Sequence, residues 1–277
     1  MHYVDVHTHL THEKFINDID QIIENAANKG LGAIVCNGLE PISNRQILTL
    51  AQEYKIVLPA LGIYPINGIH HLIPKDSEIA PKPFDVADEI KFIKEQAEAK
   101  KIIAVGECGV DGYWVGKETF PEQERVLEQL IEIAVENTIP IIIHNRKLEK
   151  RSIEILRHNQ VKKVNFHCFS GKVKLALDAA EFEDWCFSIP ANARKNEGFT
   201  QLLKKLPPEK ILTETDAPYL APIRGERNQP ANVANTIIYL AELRKWSLEE
   251  SKNLVWQNFC RLFEYGSNSS PPKKSCP

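Results

Sequence analysis

The sequence predicts one (β/α)8 barrel of the TIM type, in the α/β class. Three observations carry this. The chain has 277 residues, and a single barrel commonly takes about 250. Eight short apolar, β-branched runs alternate with longer amphipathic stretches, the pattern of parallel strands joined by helices. The runs are apolar at nearly every position, as strands covered on both faces are. An open doubly wound sheet is the alternative. It would show a glycine-rich dinucleotide turn after the first strand, where this chain has Thr8-His9-Leu10-Thr11-His12.

Taken in order, the first strand is Tyr3–His7. A helix over Ile16–Lys29 follows from apolar residues at 16, 19, 22, 23 and 26, the spacing of one helix face. Gly32–Cys36 and Ile56–Leu61 are the next two strands. Residues 64–83 are rich in Pro and His and read as a long loop, a length usually tied to function. Ile102–Gly106 is the fourth strand. Gln123–Glu136 repeats the helical spacing at 126, 127, 130, 131, 133 and 134. Strands at Ile139–His144, Val161–His167, Trp185–Ile189 and Ile211–Thr215 complete the eight. Helices at Ile153–His158, Val173–Ala180 and Phe199–Leu206 lie between them, and Asn232–Lys245 and Leu248–Phe263 close the chain. The barrel thus takes residues 1–265. Residues 266–277, polar and proline-rich, read as a disordered tail.

Composition narrows the function. Hydrophobic residues make up 43% and charged residues 26%, ordinary globular usage that excludes wholesale disorder, collagen repeats and long coiled coils. No run approaches the ~18 apolar residues of a membrane span. The start, Met1-His2-Tyr3-Val4-Asp5, lacks the basic and apolar segments of a secretory signal, so a cytoplasmic location is expected. The six cysteines form no C-x-x-C pair and read as reduced, mostly buried thiols. Net charge is −3. Without a global basic field, a nucleic acid would have to be held by a local patch or by metal.

The chemistry sits at strand ends. His7 and His9 form an H-x-H pair, and residues two apart on a strand project to one side. Glu107 ends the fourth strand, His144 the fifth, His167 the sixth and Asp216 the eighth. Any one of these is also what a hydrogen-bonded strand end offers. Together they place a metal-capable side chain at the C-terminal end of five strands, and in a barrel those ends converge on one mouth. Imidazoles and carboxylates without thiolate favour Zn, Mn, Co, Ni or Fe, with Mg possible. Four imidazoles and two carboxylates exceed the needs of one tetrahedral ion, so one or two divalent ions are expected, with Glu107 the natural bridge. Asp216 can hold an ion and also orient a water or take its proton. Asp5, Asn165 and Glu214 share strand faces with His7, His167 and Asp216, and read either as ligand support or as hydrogen-bonded core groups.

Taken together, Val4-Asp5-Val6-His7-Thr8-His9-Leu10, Gly106-Glu107-Cys108-Gly109-Val110-Asp111, His144-Asn145-Arg146, His167-Cys168-Phe169-Ser170-Gly171 and Glu214-Thr215-Asp216-Ala217-Pro218-Tyr219-Leu220 resemble the TatD-type metal-dependent hydrolases. Arg227-Asn228-Gln229-Pro230 and Asn258 match as well. The resemblance runs from residue 3 to about 265. It implies an amidohydrolase-like barrel, divalent-metal deoxyribonuclease activity, often from the 3′ end, and DNA ends or short single strands as substrate. It implies that His7, His9, Glu107, His144, His167 and Asp216 are ligands, and that Arg146, Arg227 and Asn228 lie near the substrate. One stretch departs. Where the family usually has Gly-x-His-Pro-His, this chain has Gly62-Ile63-Tyr64-Pro65-Ile66-Asn67. Tyr64 can donate a hydrogen bond but carries no imidazolium charge. His70 and His71, a few residues on, are candidate replacements or plain loop histidines.

Two other activities compete. A small-molecule metallohydrolase acting on an ester, phosphoester or amide would suit the same barrel, although related enzymes often bridge their metals with a modified lysine where this chain has Glu107. A non-catalytic scaffold predicts a degraded ligand set, and none of the six is degraded. Arg146, Arg224 and Arg227 can offer phosphate contacts or simply be solvated. Tyr113 and Trp114 can stack bases or pack a loop.

Overall fold

A computed structural model describes residues 2–182 and 184–266. Eight parallel strands run in sequence order: β1 (Tyr3–Thr8), β2 (Leu31–Asn37), β3 (Val57–Leu61), β4 (Ala104–Gly109), β5 (Ile141–His144), β6 (Lys163–His167), β7 (Asp184–Pro190) and β8 (Ile211–Glu214). Ten helices surround them among the described residues: α1 (Ile19–Lys29), α2 (Pro41–Glu53), α3 (Pro65–Gly68), α4 (Val86–Glu98), α5 (Phe120–Glu136), α6 (Glu149–His158), α7 (Val173–Ala179), α8 (Glu197–Lys205), α9 (Ala234–Arg244) and α10 (Leu248–Leu262). The predicted barrel is therefore observed. The expected tail lies outside the described residues from 267 onward.

Helix boundaries follow local chemistry. Gly30 takes the left-handed conformation at φ +95° and ends α1. Ser247 and Glu250 form a capping box that starts α10, and Asn196 caps α8 through the amides of Gly198 and Phe199.

Two helices, α2 and α4, are absent from the sequence reading. Both pack apolar residues on the core, Ile47 in α2 and Val86, Ile90, Ile93 and Ala97 in α4, and a buried polar contact joins them. Asn44 of α2 is fully buried and donates to Gly62 O (2.9 Å) and to Glu89 Oε1 of α4 (2.6 Å). Arg45 pairs with the other oxygen of Glu89 and lies 3.7 Å over the Phe92 ring. The stretch after β3 is also more ordered than a loop. It holds α3 and a 3-10 turn at His70–Leu72, and Ile66, Ile69 and Ile73 form a small core of their own.

The barrel closes where β8 meets β1. Thr8 bridges to Ala217, and Asp216 N donates to His7 O at 2.8 Å. Side chains complete the seam. Thr213 Oγ1 donates to Val4 O at 2.9 Å. The buried Asp5 carboxylate accepts from Thr215 N (2.9 Å), Thr215 Oγ1 and His7 N (3.2 Å). Asp5 thus ties β1 to β8 at the seam, through the His7 backbone and Thr215. Glycine permits the tight approach of β4 to β5. Gly109 has φ +147°, and a Cβ there would lie 1.9 Å from His144 O.

Candidate metal centre

Each of the six candidate ligands leaves the C-terminal end of its strand. His7 and Glu107 lie within β1 and β4, His144 and His167 close β5 and β6, and His9 and Asp216 follow β1 and β8. Asp216 is left-handed at φ +54°, a turn that short polar residues tolerate.

Glu107 is the hub. Its Oε2 lies 3.4 Å from His7 Nε2 and 3.5 Å from His9 Nε2. Its Oε1 lies 3.0 Å from His144 Nδ1 and 3.3 Å from His167 Nε2. One carboxylate therefore addresses two imidazole pairs, one through each oxygen. Asp216 Oδ1 adds to the first pair, 3.3 Å from His9 Nε2 and 3.7 Å from His7 Nε2. The His7 and His167 rings stack at 3.8 Å, which joins the two halves.

Surrounding oxygens aim the rings. His9 Nδ1 meets Asn37 O at 3.1 Å; a carbonyl only accepts, so Nδ1 carries the proton and Nε2 is turned to Glu107 and Asp216. His144 Nε2 meets Asp111 Oδ2 at 2.8 Å, which turns Nδ1 toward Glu107. His167 Nδ1 lies 3.4 Å from Glu214 Oε1. Ser188 Oγ donates to Glu214 Oε2, and Asn165 Nδ2 donates to Ser188 Oγ at 3.0 Å. Asn165 and Ser188 thus hold Glu214 by hydrogen bonds across β6, β7 and β8, and Glu214 faces His167 at ion-pair distance. Buried His7 is different. Neither of its nitrogens has a hydrogen-bond partner.

Electrostatics follow the geometry. Burial opposes ionisation of Glu107 and Asp216, but the imidazoles around them outweigh it and hold both below the usual carboxylate range, Glu107 well below. Burial likewise opposes protonation of His9, His144 and His167, yet their carboxylate partners raise all three. His7 goes the other way, down to about 4, through burial and then repulsion from His167. It is neutral at pH 7, the state in which an imidazole binds metal. An unpartnered neutral His7, a carboxylate split between two imidazole pairs and the lack of any thiolate fit divalent ions with nitrogen and oxygen ligands.

The comparisons with known proteins agree. The family described as TatD related DNase matches residues 4–264. The chain belongs to that family. Deoxyribonuclease TATDN3 of Homo sapiens is 31% identical over 265 residues, spanning 94% of this chain and 94% of its own. The uncharacterized metal-dependent hydrolase YabD of Bacillus subtilis is 29% identical over 94% of this chain and 98% of its own. In structure, the YJJV TatD homolog of Escherichia coli superposes with a TM-score of 0.80 at 24% identity, covering 95% of this chain and 98% of that one.

The other candidate residues of this TatD related chain divide. Arg146 is exposed and lines a mouth cavity of about 490 Å³ with Tyr113, His144, His167, Asn192 and Asp216. Tyr64 lies edge-on to His144, ring centroids 5.0 Å apart, and donates to Asp111 Oδ2 over a long 3.4 Å. Arg227 and Asn228 are engaged elsewhere. Arg227 pairs with Asp18 (2.9 Å) and donates to Lys14 O, so its charge is met within the chain. Asn228 is fully buried, donating to Thr215 O and accepting from Gln229 N and Asn232 Nδ2. Both brace the loop after β8. His70 and His71 do not replace the missing family histidine. His70 Nε2 is held at Phe84 O, and His71 faces Glu122. Asn258 ties α10 to Pro208 O and Ile211 O, at the opposite end of β8 from Asp216.

Asp111 is the member of the candidate site that sequence reasoning did not single out. One oxygen holds His144 and Tyr64; the other accepts from Tyr113 N (2.7 Å) and Trp114 N (2.9 Å). An Asp that binds the amide two residues on is a turn signal, and Asp111-Gly112 shows it in the sequence.

Proposed function

We propose that this chain is a divalent-metal-dependent hydrolase that cleaves phosphodiester bonds of DNA, at ends or in short single strands. The observation that carries the reading is the division of Glu107 between two imidazole pairs beside an unpaired cation at the barrel mouth. His7, His9, Glu107 and Asp216 would hold one ion; Glu107, His144 and His167 would hold a second. Zn, Mg, Mn, Co and Ni all suit this donor set. Bound divalent ions supply two things here, acidification of a water and neutralisation of charge developing at phosphorus.

The protein's own groups do the rest. Asp216 is ionised and partly open to the cavity, so it orients the attacking water and takes its proton. Among the described residues Arg146 has no carboxylate within ion-pair reach, which leaves its guanidinium for a substrate phosphate. Burial raises the Tyr64 hydroxyl above its ordinary value, so it stays neutral and can turn its one proton from Asp111 to the same phosphate. The relatives named deoxyribonuclease and metal-dependent hydrolase support the same chemistry.

The test combines metal content with turnover of end-labelled single-stranded DNA under Mg, Mn and Zn added separately. Shortening of the strand that a chelator stops, and that Asp216→Ala lacks, is the expected result. Bound metal with no cleavage of DNA under any of the three would overturn the reading.

A further inference from the structure

The loop after β4 presents two large aromatic side chains to solvent at the edge of the site. Tyr113 is 50% exposed and Trp114 48%. Such exposure is ordinary for a single side chain, but several features set this pair apart. Their backbone amides are both fastened to Asp111 Oδ1, and Asp111 N and O are clamped in turn by the buried Gln123 (2.7 and 3.1 Å). The loop is therefore built to hold the rings out. The rings meet edge to face, with centroids 4.9 Å apart. The Arg146 guanidinium lies 3.5 Å over Tyr113 and 5.7 Å from Trp114. Tyr113 and Arg146 line the same cavity as His144 and Asp216. Finally, the carboxylate that pins the two amides also orients His144.

We infer that Tyr113, Trp114 and Arg146 form a nucleobase-binding subsite. The base next to the scissile phosphate stacks on the aromatic pair, while the guanidinium holds the adjoining phosphate. Every base has a π-face, so such a platform reads the presence of a base and not its identity. It also requires a base free of its neighbour, which an unpaired strand or a frayed end supplies. Arg146 prefers this place for two reasons at once, since a guanidinium both stacks on aromatic faces and pairs with phosphate. The inference rests on the phosphodiesterase reading for the identity of the ligand, and it is tested apart from catalysis.

The experiment measures binding by fluorescence anisotropy, using the full chain in excess chelator. The probes are a labelled thymidine hexamer and a hexamer of the same backbone with abasic tetrahydrofuran residues. Wild type is expected to prefer the base-bearing strand by about tenfold or more, the size of one good base–aromatic stack. Tyr113→Ala with Trp114→Ala should bring the ratio close to one. Tyr113→Phe with Trp114→Phe should keep most of it, which separates stacking from damage to the loop. A ratio near one in wild type, a ratio unchanged in the double alanine variant, or no measurable binding of either strand overturns the subsite. Turnover of bis(p-nitrophenyl) phosphate and of DNA by the metal-loaded enzyme is scored separately. Cleavage without a base preference sinks only the subsite. A base preference lost in the double alanine variant, with neither substrate cleaved, sinks only the reaction.

Discussion

Asp111→Asn changes one atom and should misdirect a candidate metal ligand, His144. The wild-type carboxylate accepts twice from the loop amides, at 2.7 and 2.9 Å, once from His144 Nε2, at 2.8 Å, and over a longer 3.4 Å from the Tyr64 hydroxyl. It is ionised, because His144 and those amides outweigh the effect of burial. The carboxamide has two orientations. Turning its NH2 to the amides would set donor against donor and leave two buried N–H groups unsatisfied, at about 1–3 kcal/mol each. It therefore keeps its oxygen on the amides and points the NH2 at His144 Nε2. That nitrogen must then accept, so the proton of neutral His144 moves to Nδ1. Nδ1 is the atom that lies 3.0 Å from Glu107 and faces the ion position. Loss of such a supporting carboxylate typically costs about 10–100-fold in metal affinity or activity, or about 1.4–2.7 kcal/mol. The fold should survive, because Gln123 holds the Asp111 backbone whichever side chain it carries. Chelator competition gives the affinity, kcat/KM on DNA gives the activity, and 15N spectra of histidine report the tautomer in the metal-free protein. An Asn variant with wild-type affinity and an Nε2–H tautomer at His144 would refute the reasoning.

Four further outcomes are expected. Glu107→Gln removes the anion shared by both imidazole pairs and should lower metal affinity and turnover by more than about 100-fold, the upper end for groups that only support a ligand; an active variant with full metal content would remove Glu107 from the site. Metal affinity should rise with pH, because the raised His9, His144 and His167 hold protons that an ion must displace. In the metal-free protein those three stabilise the fold below the ordinary histidine value of 6.5 and cease to as pH rises through their raised values, whereas His7, lowered to about 4, costs stability as pH falls from 6.5 through 4. Calorimetry in buffers of different ionisation enthalpy counts the protons, and zero release at pH 6 contradicts the assignment. Tyr64→Phe loses only a 3.4 Å hydrogen bond to Asp111, so stability should move by less than about 0.5 kcal/mol, while KM for DNA rises about 3–10-fold if the hydroxyl serves the phosphate; an unmoved KM rejects that role. Asp5→Ala strips three hydrogen bonds from the buried seam and should cost about 3 kcal/mol, or about 6–12 °C in Tm for a chain of this size; a thermal shift within 2 °C, by about the same scaling, would show that the seam holds without it.

The strands were legible because burial on both faces writes itself as apolar, β-branched runs. All eight appear within a few residues of the expected bounds, as at Trp185–Ile189 against Asp184–Pro190. Helices were legible through the apolar spacing of their inner faces. In α1, Ile22, Ile23 and Ala26 supply the stripe. α4 carries the same kind of stripe at Val86, Ile90, Ile93 and Ala97, a signal the sequence reading passed over, while in α2 the buried Ser43 and Asn44 interrupt the stripe around Ile47. The segment after β3 escaped for another reason. Its ordered part is a four-residue helix and a single 3-10 turn, too short for periodicity to register.

The same distinction governs the site. Strand geometry carries a side chain's direction from sequence to space, because parity decides the face and parallel closure brings the C-terminal ends together. His7, Glu107, His144 and His167 lie on strands, and His9 and Asp216 one or two residues past them, so their convergence could be read from spacing alone. Asn165 and Glu214 were legible by the same parity, although Ser188 of β7 joins them. Parity stops where the strand stops. Asp111 stands two residues beyond β4, and Arg227 and Asn228 stand in the long loop after β8, where direction is set by turn conformation and by whichever partner is nearest. For Arg227 that partner is Asp18, distant in sequence, and no local pattern announces it. Arg146 also lies past a strand, but the nearest partner it finds is an aromatic ring, not a carboxylate. Among the described residues Arg146 has no carboxylate within ion-pair reach at the mouth of an acidic and imidazole-rich site, so a phosphate can answer its charge, whereas the charge of Arg227 is already met by Asp18.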